Sequence, residues 1–379
     1  MKFRGGYSIS LEGRPSSNVR VMPEPEALYL PLGSKRFNFS SVKVDDGAKV
    51  DTGDVLAIDP DNYDVPLLSP RAGTVKINAE ENHIVLENIT KDNSKPDFDE
   101  SKLDHIVQNH GKSAKKPYKL LNLGAWQYFY DAYTGDIPDP LAVPQAVIVS
   151  LVNIQFFTVR GDVQLKNSFI EFTRGLEHLQ SMLEYQPIYL AVPNIKSELA
   201  TKIKEHIRGY ARAELIEIPL EYTRDDFNIL ARHIGLKRAD GPIWSMNTEG
   251  VLAIDTALTQ SKAVIDKIIS VGGPAVNTPE NIKVVTGYPV AGIVKEYAKQ
   301  ETTRVIDGGF FQGDKITLKD VGVSAECTGI TMLAEHTERE FLGWLRPGID
   351  RSSYSNSFIS KLKGKFNEKF TTTVRGEKR

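Results

Sequence analysis

The sequence predicts a multi-domain chain of mixed α+β and α/β architecture, and three patterns predict it. Between Val42 and Asn88, short alternations of apolar and polar residues are separated by Asp-Gly, Thr-Gly-Asp and Ala-Gly turns, the pattern of a small all-β unit. Between Ala146 and Gln260, continuous apolar runs alternate with helical spacings, the order of a parallel sheet covered by helices. Between Ile268 and Asp314, two β-branched runs, a short helical stretch and a third apolar run follow in quick succession.

Taken in order, residues 1–40 hold Gly5-Gly6, Pro15, Pro23, Pro25 and Pro31 between short apolar pieces, which suits extended segments and turns. Strands are then expected around Val42 and Val44, Val55 and Ala57, Val75 and Ile77, and Ile84 and Leu86. His83 reads as a strand-edge residue. The polar stretch Lys91–Asp99 lacks hydrophobic periodicity and marks a linker, so the first unit covers 1–98 and the second 99–262.

In the second unit, Ala146–Leu151, Pro187–Val192 and Leu215–Ile218 read as strands. Helices are expected over Phe169–Leu183, from a cap at Asn194 through Ile203 and Ile207, over Phe227–Ile234 and over Thr248–Gln260. Strand, helix, strand, helix, strand implies right-handed crossovers and a Rossmann-like parallel sheet. Ligands of such sheets bind at the carboxyl ends of the strands, where a dinucleotide site needs a Gly-rich phosphate turn. The stretches there read NIQFF, PNIKS and PLEY, and the chain has no G-x-G-x-x-G or Walker motif. Asn194 and Ser197 at a helix start offer an anion site, although a plain cap explains them more simply. Arg160-Gly161-Asp162 reads as a turn.

The third unit, 263–335, has strands at Ile268–Val271 and Ile282–Thr286 flanking Gly-Gly-Pro and Asn-Thr-Pro turns. Gly287 and Pro289 end the second strand, Val290–Lys299 reads as a short helix and Arg304–Asp307 as the third strand, broken by Gly308-Gly309. That is the order of a β-grasp module. A tail, 336–379, follows. It carries Phe341, Trp344, Leu345 and Arg346 before a Pro-Gly turn, and from Lys361 onward seven Lys/Arg against two Glu.

Composition narrows the classes further. Of 379 residues, 40% are hydrophobic and 25% charged, ordinary for a globular protein. A net charge of −2 gives no electrostatic case for nucleic acid. A single cysteine, Cys327, excludes an internal disulfide, a cysteine-based zinc site and a cysteine-ligated iron–sulfur cluster, and the scattered histidines lack metal-ligand spacing. No apolar run reaches the ~18–20 residues of a membrane span. The N-terminus reaches glycine and charge too early for a signal peptide, so a cytoplasmic, peripheral protein is expected.

Several motifs carry a family resemblance. The order V-x-x-G-x-x-V-x-x-G-D-x-L followed by S-P-x-x-G-x-V resembles the biotinyl/lipoyl-type barrel-sandwich hybrid, without the lysine setting of a carrier domain. GGPAVNTPENIKVVTGYPVAGIV followed by RVIDGGFFQG looks like the soluble-ligand-binding (SLBB) β-grasp domain of respiratory proteins. FLGWLRPGIDRSSYSNSFISKL with the terminal RGEKR looks like the signature that follows this domain in the alpha subunit of Na+-translocating NADH:quinone reductases. The N-terminal GGYSISLEGRP, DIPDPLAVP (Asp136–Pro144) and IWSMNTEGVLAI (Ile243–Ile254) agree, so the resemblance spans essentially the whole chain. It implies a Rossmann-like domain related to the flavin subunit of complex I. Where that relative has its Gly-rich flavin loop, this chain reads LLNLGAWQYFYDAY, with Gly124 alone among bulky aromatics. No FMN, NADH or iron–sulfur site is therefore carried over.

The resemblance implies a soluble subunit on the cytoplasmic side of the bacterial inner membrane, catalytic only within its complex and binding no cofactor itself, while NADH, flavins and quinone are used by the assembly. The other subunits, the membrane ones above all, are the expected partners. Since the family continues past the Gly-Glu-Lys-Arg point, the chain is expected to be truncated or a shorter homologue. Trp126, Tyr128, Phe129, Tyr130 and Tyr133 form an aromatic cluster that would suit a quinone ring, although core packing explains them more simply. Phe341, Trp344, Leu345 and Arg346 are docking candidates. The rival class is a stand-alone small-ligand-binding protein using the β-grasp domain.

Overall fold

The computed structural model describes Gly6 and residues 10–91, 98–194, 198–210, 212–299, 303–317 and 321–335. The tail, with Phe341, Trp344, Leu345 and Arg346, lies outside the described residues, as does Ser197. The architecture is mixed α/β, with several sheets in three packed units.

β1 (Val19–Val21) stands apart from the first unit and joins the third. The first unit comprises β2 (Leu28–Pro31), β3 (Ser41–Val42), β4 (Lys49–Val50), β5 (Val55–Asp59), β6 (Val65–Leu68), β7 (Ala72–Asn78) and β8 (His83–Thr90). They form two antiparallel sheets, ordered β2-β8-β7-β4 and β3-β5-β6. Alternation puts Leu28, Leu30, Leu56, Ile84 and Leu86 in one core, each without solvent exposure. Gly47 and Gly53 occupy the Asp-Gly and Thr-Gly-Asp turns at φ of +79° and +93°, a conformation that a side chain strains. His83 opens β8 but is buried between Pro31 of β2 and Asn78 of β7. It is a strand-end residue of an interior strand, so the edge reading fails.

The second unit begins with α1 (Asp104–His110) and α2 (Lys115–Asn122), which sequence periodicity did not reveal, and β9 (Tyr130–Asp131). Then come β10 (Ala146–Ser150), α3 (Gly161–Leu165), α4 (Phe169–Met182), β11 (Ile188–Pro193), α5 (Glu198–His206), β12 (Ala213–Ile218), α6 (Phe227–His233), β13 (Ile243–Asn247) and α7 (Thr248–Leu258). The sheet is ordered β12-β11-β10-β13-β9, parallel except for β9. All five residues of β10 are buried, as a strand flanked on both sides and covered on both faces requires. The expected cap at Asn194 is followed by residues 195–197, which lie outside the described residues; its backbone amide donates to Ile218 O at the end of β12. Arg160-Gly161-Asp162 is a helix start, not a turn. Gly161 begins α3 pressed against the exit of β10, where a Cβ would lie 2.2 Å from Leu151 O.

The third unit consists of β14 (Asp266–Gly272), β15 (Glu280–Val285), α8 (Val290–Tyr297), β16 (Thr303–Asp307), β17 (Asp314–Lys315) and β18 (Gly329–Ala334). Its sheet is ordered β1-β15-β14-β18-β16-β17. Val290, Ile293 and Tyr297 of α8 pack on Ile269, Val271, Ile282 and Ile330. β1 runs parallel to β15, pairing Val19 with Asn281. Buried Asn281 accepts from Ser270 Oγ at 2.6 Å and donates to Ser16 O at 2.6 Å, sewing the start of the chain into its last sheet. Units one and two share a continuous core, in which Leu67 and Val75 meet Leu120, Ala125 and Trp126.

Helix α4 crosses α7 at Gly175, where a Cβ would lie 2.2 Å from Val251 O. One residue earlier, Arg174 grips fully buried Asp255 through two hydrogen bonds of 2.8 and 2.9 Å. Because backbone, not a flexible side chain, opposes any added carbon, Gly175→Ala is expected to destabilise the chain by about 1–3 kcal/mol. Urea denaturation checks this, and an unchanged midpoint would show that the helices can part freely.

Candidate binding cleft

The parallel sheet reverses its strand order between β10 and β13, since the chain leaves β10 toward β11 on one side and returns to β13 on the other. A crevice opens outside the carboxyl ends of two such strands because their connections diverge to opposite faces. Here it becomes a cleft of about 1070 Å³ where all three units meet. Ser150 ends β10 and Asn153 and Gln155 follow it, Asn247 ends β13, and Tyr222 and Asp225 lie on the segment before α6. The first unit contributes Lys35 and Arg36. The third contributes Asp307, Gln312 and Glu326.

Arg36 pins the units together. Its guanidinium lies 3.7 Å over the Tyr130 ring and donates to Gln127 O at 3.1 Å and Phe129 O at 2.6 Å. Its backbone amide donates to Glu326 Oε2 at 3.2 Å. Beneath lies a buried charged group. Lys267 Nζ, on β14, is 3.1 Å from Glu249 Oε1 on α7, donates to Ala325 O at 2.6 Å and is 3.4 Å from Tyr128 Oη. Burial alone would push this ammonium down, but the Glu249 carboxylate outweighs it and keeps Lys267 protonated. Burial pushes the Tyr128 phenol up to about 12, so it stays neutral, its oxygen accepting from Lys267.

In two carboxylates of the cleft, loss of water outweighs everything that favours the charged form, Lys267 near Asp307 included. Asp225 accepts from Ile154 N at 2.7 Å, and burial raises it to about 6. Asp307 is likewise raised by burial, against hydrogen bonds from Cys327 and Ser324. Cys327 itself is buried and pushed well above the usual thiol range by burial and by Asp307, which leaves it a poor nucleophile. Among the described residues no group of His, Cys, Asp and Glu is arranged to hold a metal ion.

The five aromatic candidates separate. Trp126 and Phe129 have no solvent exposure and stack at 4.1 Å between centroids, each meeting Trp244 edge-on. Tyr128 is buried against Lys267. Tyr133 is half-buried and its hydroxyl donates to Leu236 O at 2.6 Å. Of the five, Tyr130 lines the cleft, with Arg36 over its ring and Phe227 at 5.8 Å. An exposed stacking surface is thus not what Trp126, Tyr128 and Phe129 form, because their rings fill the core between the parallel sheet and the first unit.

Arg36, Glu249, Lys267 and Gln312 escaped the sequence reading. Lys267 left one signal: it is in phase with Ile269 and Val271 on the inward face of β14. Glu249 left another, in the first turn after an Asn247 cap whose Oδ1 accepts from Gly250 N.

The chain matches no protein-family model. It is similar over its full length to curated relatives named as the A subunit of Na(+)-translocating NADH-quinone reductase. The relative from Psychromonas ingrahamii is 26% identical and that from Marinomonas sp. MWYL1 24%, each alignment covering 100% of this chain and 83% of the relative. A Neisseria meningitidis relative is 25% identical over 99% of this chain and 83% of its own. The resemblance read from the sequence is borne out along the whole chain. Among solved structures, an NAD+-reducing [NiFe]-hydrogenase in the H2-reduced state aligns with a TM-score of 0.43 and 12% identity, over 74% of this chain and 60% of that one.

Two variants test these electrostatics. Lys267→Met leaves Glu249 buried without its partner and is expected to cost about 3–5 kcal/mol, most of which Lys267→Met/Glu249→Leu should restore. Denaturant titration decides, and equal losses in both variants would refute the pairing. Asp225 binds its proton more tightly folded than unfolded, so its stabilising share is present near pH 4 and lost as pH rises through about 6. Relative to Asp225→Asn, the wild type should therefore lose on the order of 2 kcal/mol between pH 4 and pH 7.5. A difference that stays flat across that range would contradict the raised carboxyl.

Proposed function

We propose that this chain serves as the alpha subunit of a Na+-translocating NADH:quinone reductase, a peripheral and non-catalytic member of the assembly. The observation that carries this reading is similarity at 24–26% identity along the entire chain to relatives bearing that name. We read the two small sheets as a barrel-sandwich hybrid, the parallel sheet as Rossmann-like, and the sheet beneath α8 as an SLBB-type β-grasp. In this reading the chain lies on the cytoplasmic side, docks on membrane subunits and shapes quinone access, while NADH, flavin and Na+ are handled by its partners. No helix among the described residues is long and apolar enough to cross a membrane, which suits a peripheral position. The buried, neutral Cys327 and the filled Trp126–Phe129 core suit a part that positions its partners and leaves electron transfer to them.

A second reading has one observation in its favour. The cleft of about 1070 Å³ at the strand-order reversal is of ligand-binding size, as expected of a stand-alone small-ligand-binding protein.

The test is a pull-down of the tagged full chain from detergent-solubilised membranes of its own organism, with flavin and NADH:quinone activity assayed in the eluate. Co-purified flavin-bearing subunits with Na+-stimulated activity are expected, and the purified chain alone should show neither stoichiometric flavin nor NADH oxidation. A colourless protein that brings down no partner would favour the ligand-binding reading.

A further inference from the structure

The hairpin between β16 and β17 ends in a six-residue tip, Gly308–Gly313, that reaches out of its own sheet to the far wall of the cleft. Three of the six residues are glycine, and Gly308 adopts φ of +95°. Across the gap, Phe311 packs on Tyr222 at 5.0 Å and on Phe156 at 5.6 Å between centroids, yet stays 47% exposed. Gln312 is the meeting point. Its Oε1 accepts from Gln155 Nε2 of the second unit at 2.6 Å, its side chain hydrogen-bonds with Tyr222, and its backbone carbonyl accepts from Lys35 Nζ of the first unit at 3.3 Å.

These contacts differ in kind from those that hold the units together elsewhere. Lys267 and Arg36 are buried or nearly so, whereas the Gln312 contacts to Lys35 and Gln155 are exposed, where water competes for every donor and acceptor. Within the tip, a single backbone bond from Gly313 N to Gly309 O closes the turn, and Phe310 N reaches Phe156 O at 3.3 Å. A glycine-rich turn tied down by side chains at a water-exposed edge belongs to the low-stability end of a structure.

We propose that the Gly308–Gly313 tip is a gate over the cleft, with Gln312 as its latch. The gate opens by releasing Gln155, Tyr222 and Lys35, parting Phe310 from Phe156 O and Phe157, and lifting Phe311 from its aromatic seat, while β16 and β18 stay paired. The tip supplies Gly308, Gly309, Gln312 and Gly313 to the cleft wall, so its opening widens access to the cleft.

The test uses Thr328→Cys, a position that lines the cleft, with the wild type and its buried Cys327 as the blank for labelling by a maleimide. Adding Gln312→Ala is expected to speed labelling at position 328 roughly tenfold, the effect of losing about one hydrogen bond's worth of latch. Hydrogen exchange on the chain without added cysteines provides the second readout: Phe310 and Gly313 amides should exchange far faster than those of β18, and Gln312→Ala should speed the tip alone. A tip that exchanges as slowly as β18, or labelling unchanged by Gln312→Ala, would show a fixed wall and overturn the gate.

Discussion

The second and third units are joined by an ammonium that is almost wholly buried. Lys267 leaves the sheet of the third unit, meets Glu249 at the start of α7, and gives hydrogen bonds toward Ala325 O and the Tyr128 hydroxyl. Taking both charges out of water costs several kcal/mol per ion, which their attraction offsets only when geometry is good and remaining donors are satisfied. A carboxylate, a carbonyl and a phenol surround the nitrogen, whereas Glu249 Oε1 is held by the ion pair alone, without a well-directed hydrogen bond. Such a group adds less to net stability than apolar packing would, but it is intolerant of misalignment. Sliding the third unit against the parallel sheet would strand Glu249 in the core. The pair therefore fixes the angle at which the cleft walls face one another.

Fixing that angle also decides what the cleft can hold. In a parallel sheet of this type, the helix N-terminus at the strand-order reversal is where phosphate would gain from free amides and the helix dipole. Here Asn247 already accepts from Gly250 N, and Glu249 places a carboxylate in the same first turn. Around them the described residues of the cleft lining carry seven carboxylates against three cations, Lys35, Arg36 and Lys315. A polyanion entering this space would meet net negative potential and a helix end whose electrostatic offer is taken by its own residues. The missing Gly-rich turn is thus one part of a consistent local electrostatic design.

What the sequence made legible follows from the range of each interaction. β10 and β11 were readable because burial writes itself as a nearly unbroken apolar run, β12 because Leu215 and Ile216 with Ile218 interrupt its glutamates, and α4 and α8 because one apolar stripe recurs at helical spacing. β13 was harder, since IWSMN runs straight into the cap of α7 and carries Ser245 inside, satisfied by Tyr130 O. β1 was invisible for another reason. Its three residues are all exposed, and its partner lies more than 250 positions away, at Asn281–Lys283. α1 buries no residue among its seven and so leaves no stripe to read.

The cleft was legible only in outline. Strand order pointed to the carboxyl ends of the sheet, and the stretches NIQFF and PLEY at those ends do reach the cleft through Asn153, Gln155 and Tyr222. Their partners, Arg36, Asp307 and Gln312, come from distant parts of the chain, and no local pattern links Lys35 to Gln312 or Arg36 to Glu326. The aromatic cluster shows the same limit from the other side. Rings at 126, 128, 129, 130 and 133 are consecutive enough to suggest one surface, but a 3-10 turn after Gly124 and a short edge strand aim them differently. Two enter the core, one seats an ammonium, one donates to Leu236 O, and Tyr130 alone of the five reaches the cleft, where Arg36 covers it. Whether a ring from outside can stack there depends on Arg36 giving way. That residue also carries the contacts to Gln127, Phe129 and Glu326, so freeing the tyrosine would loosen the joint between the units.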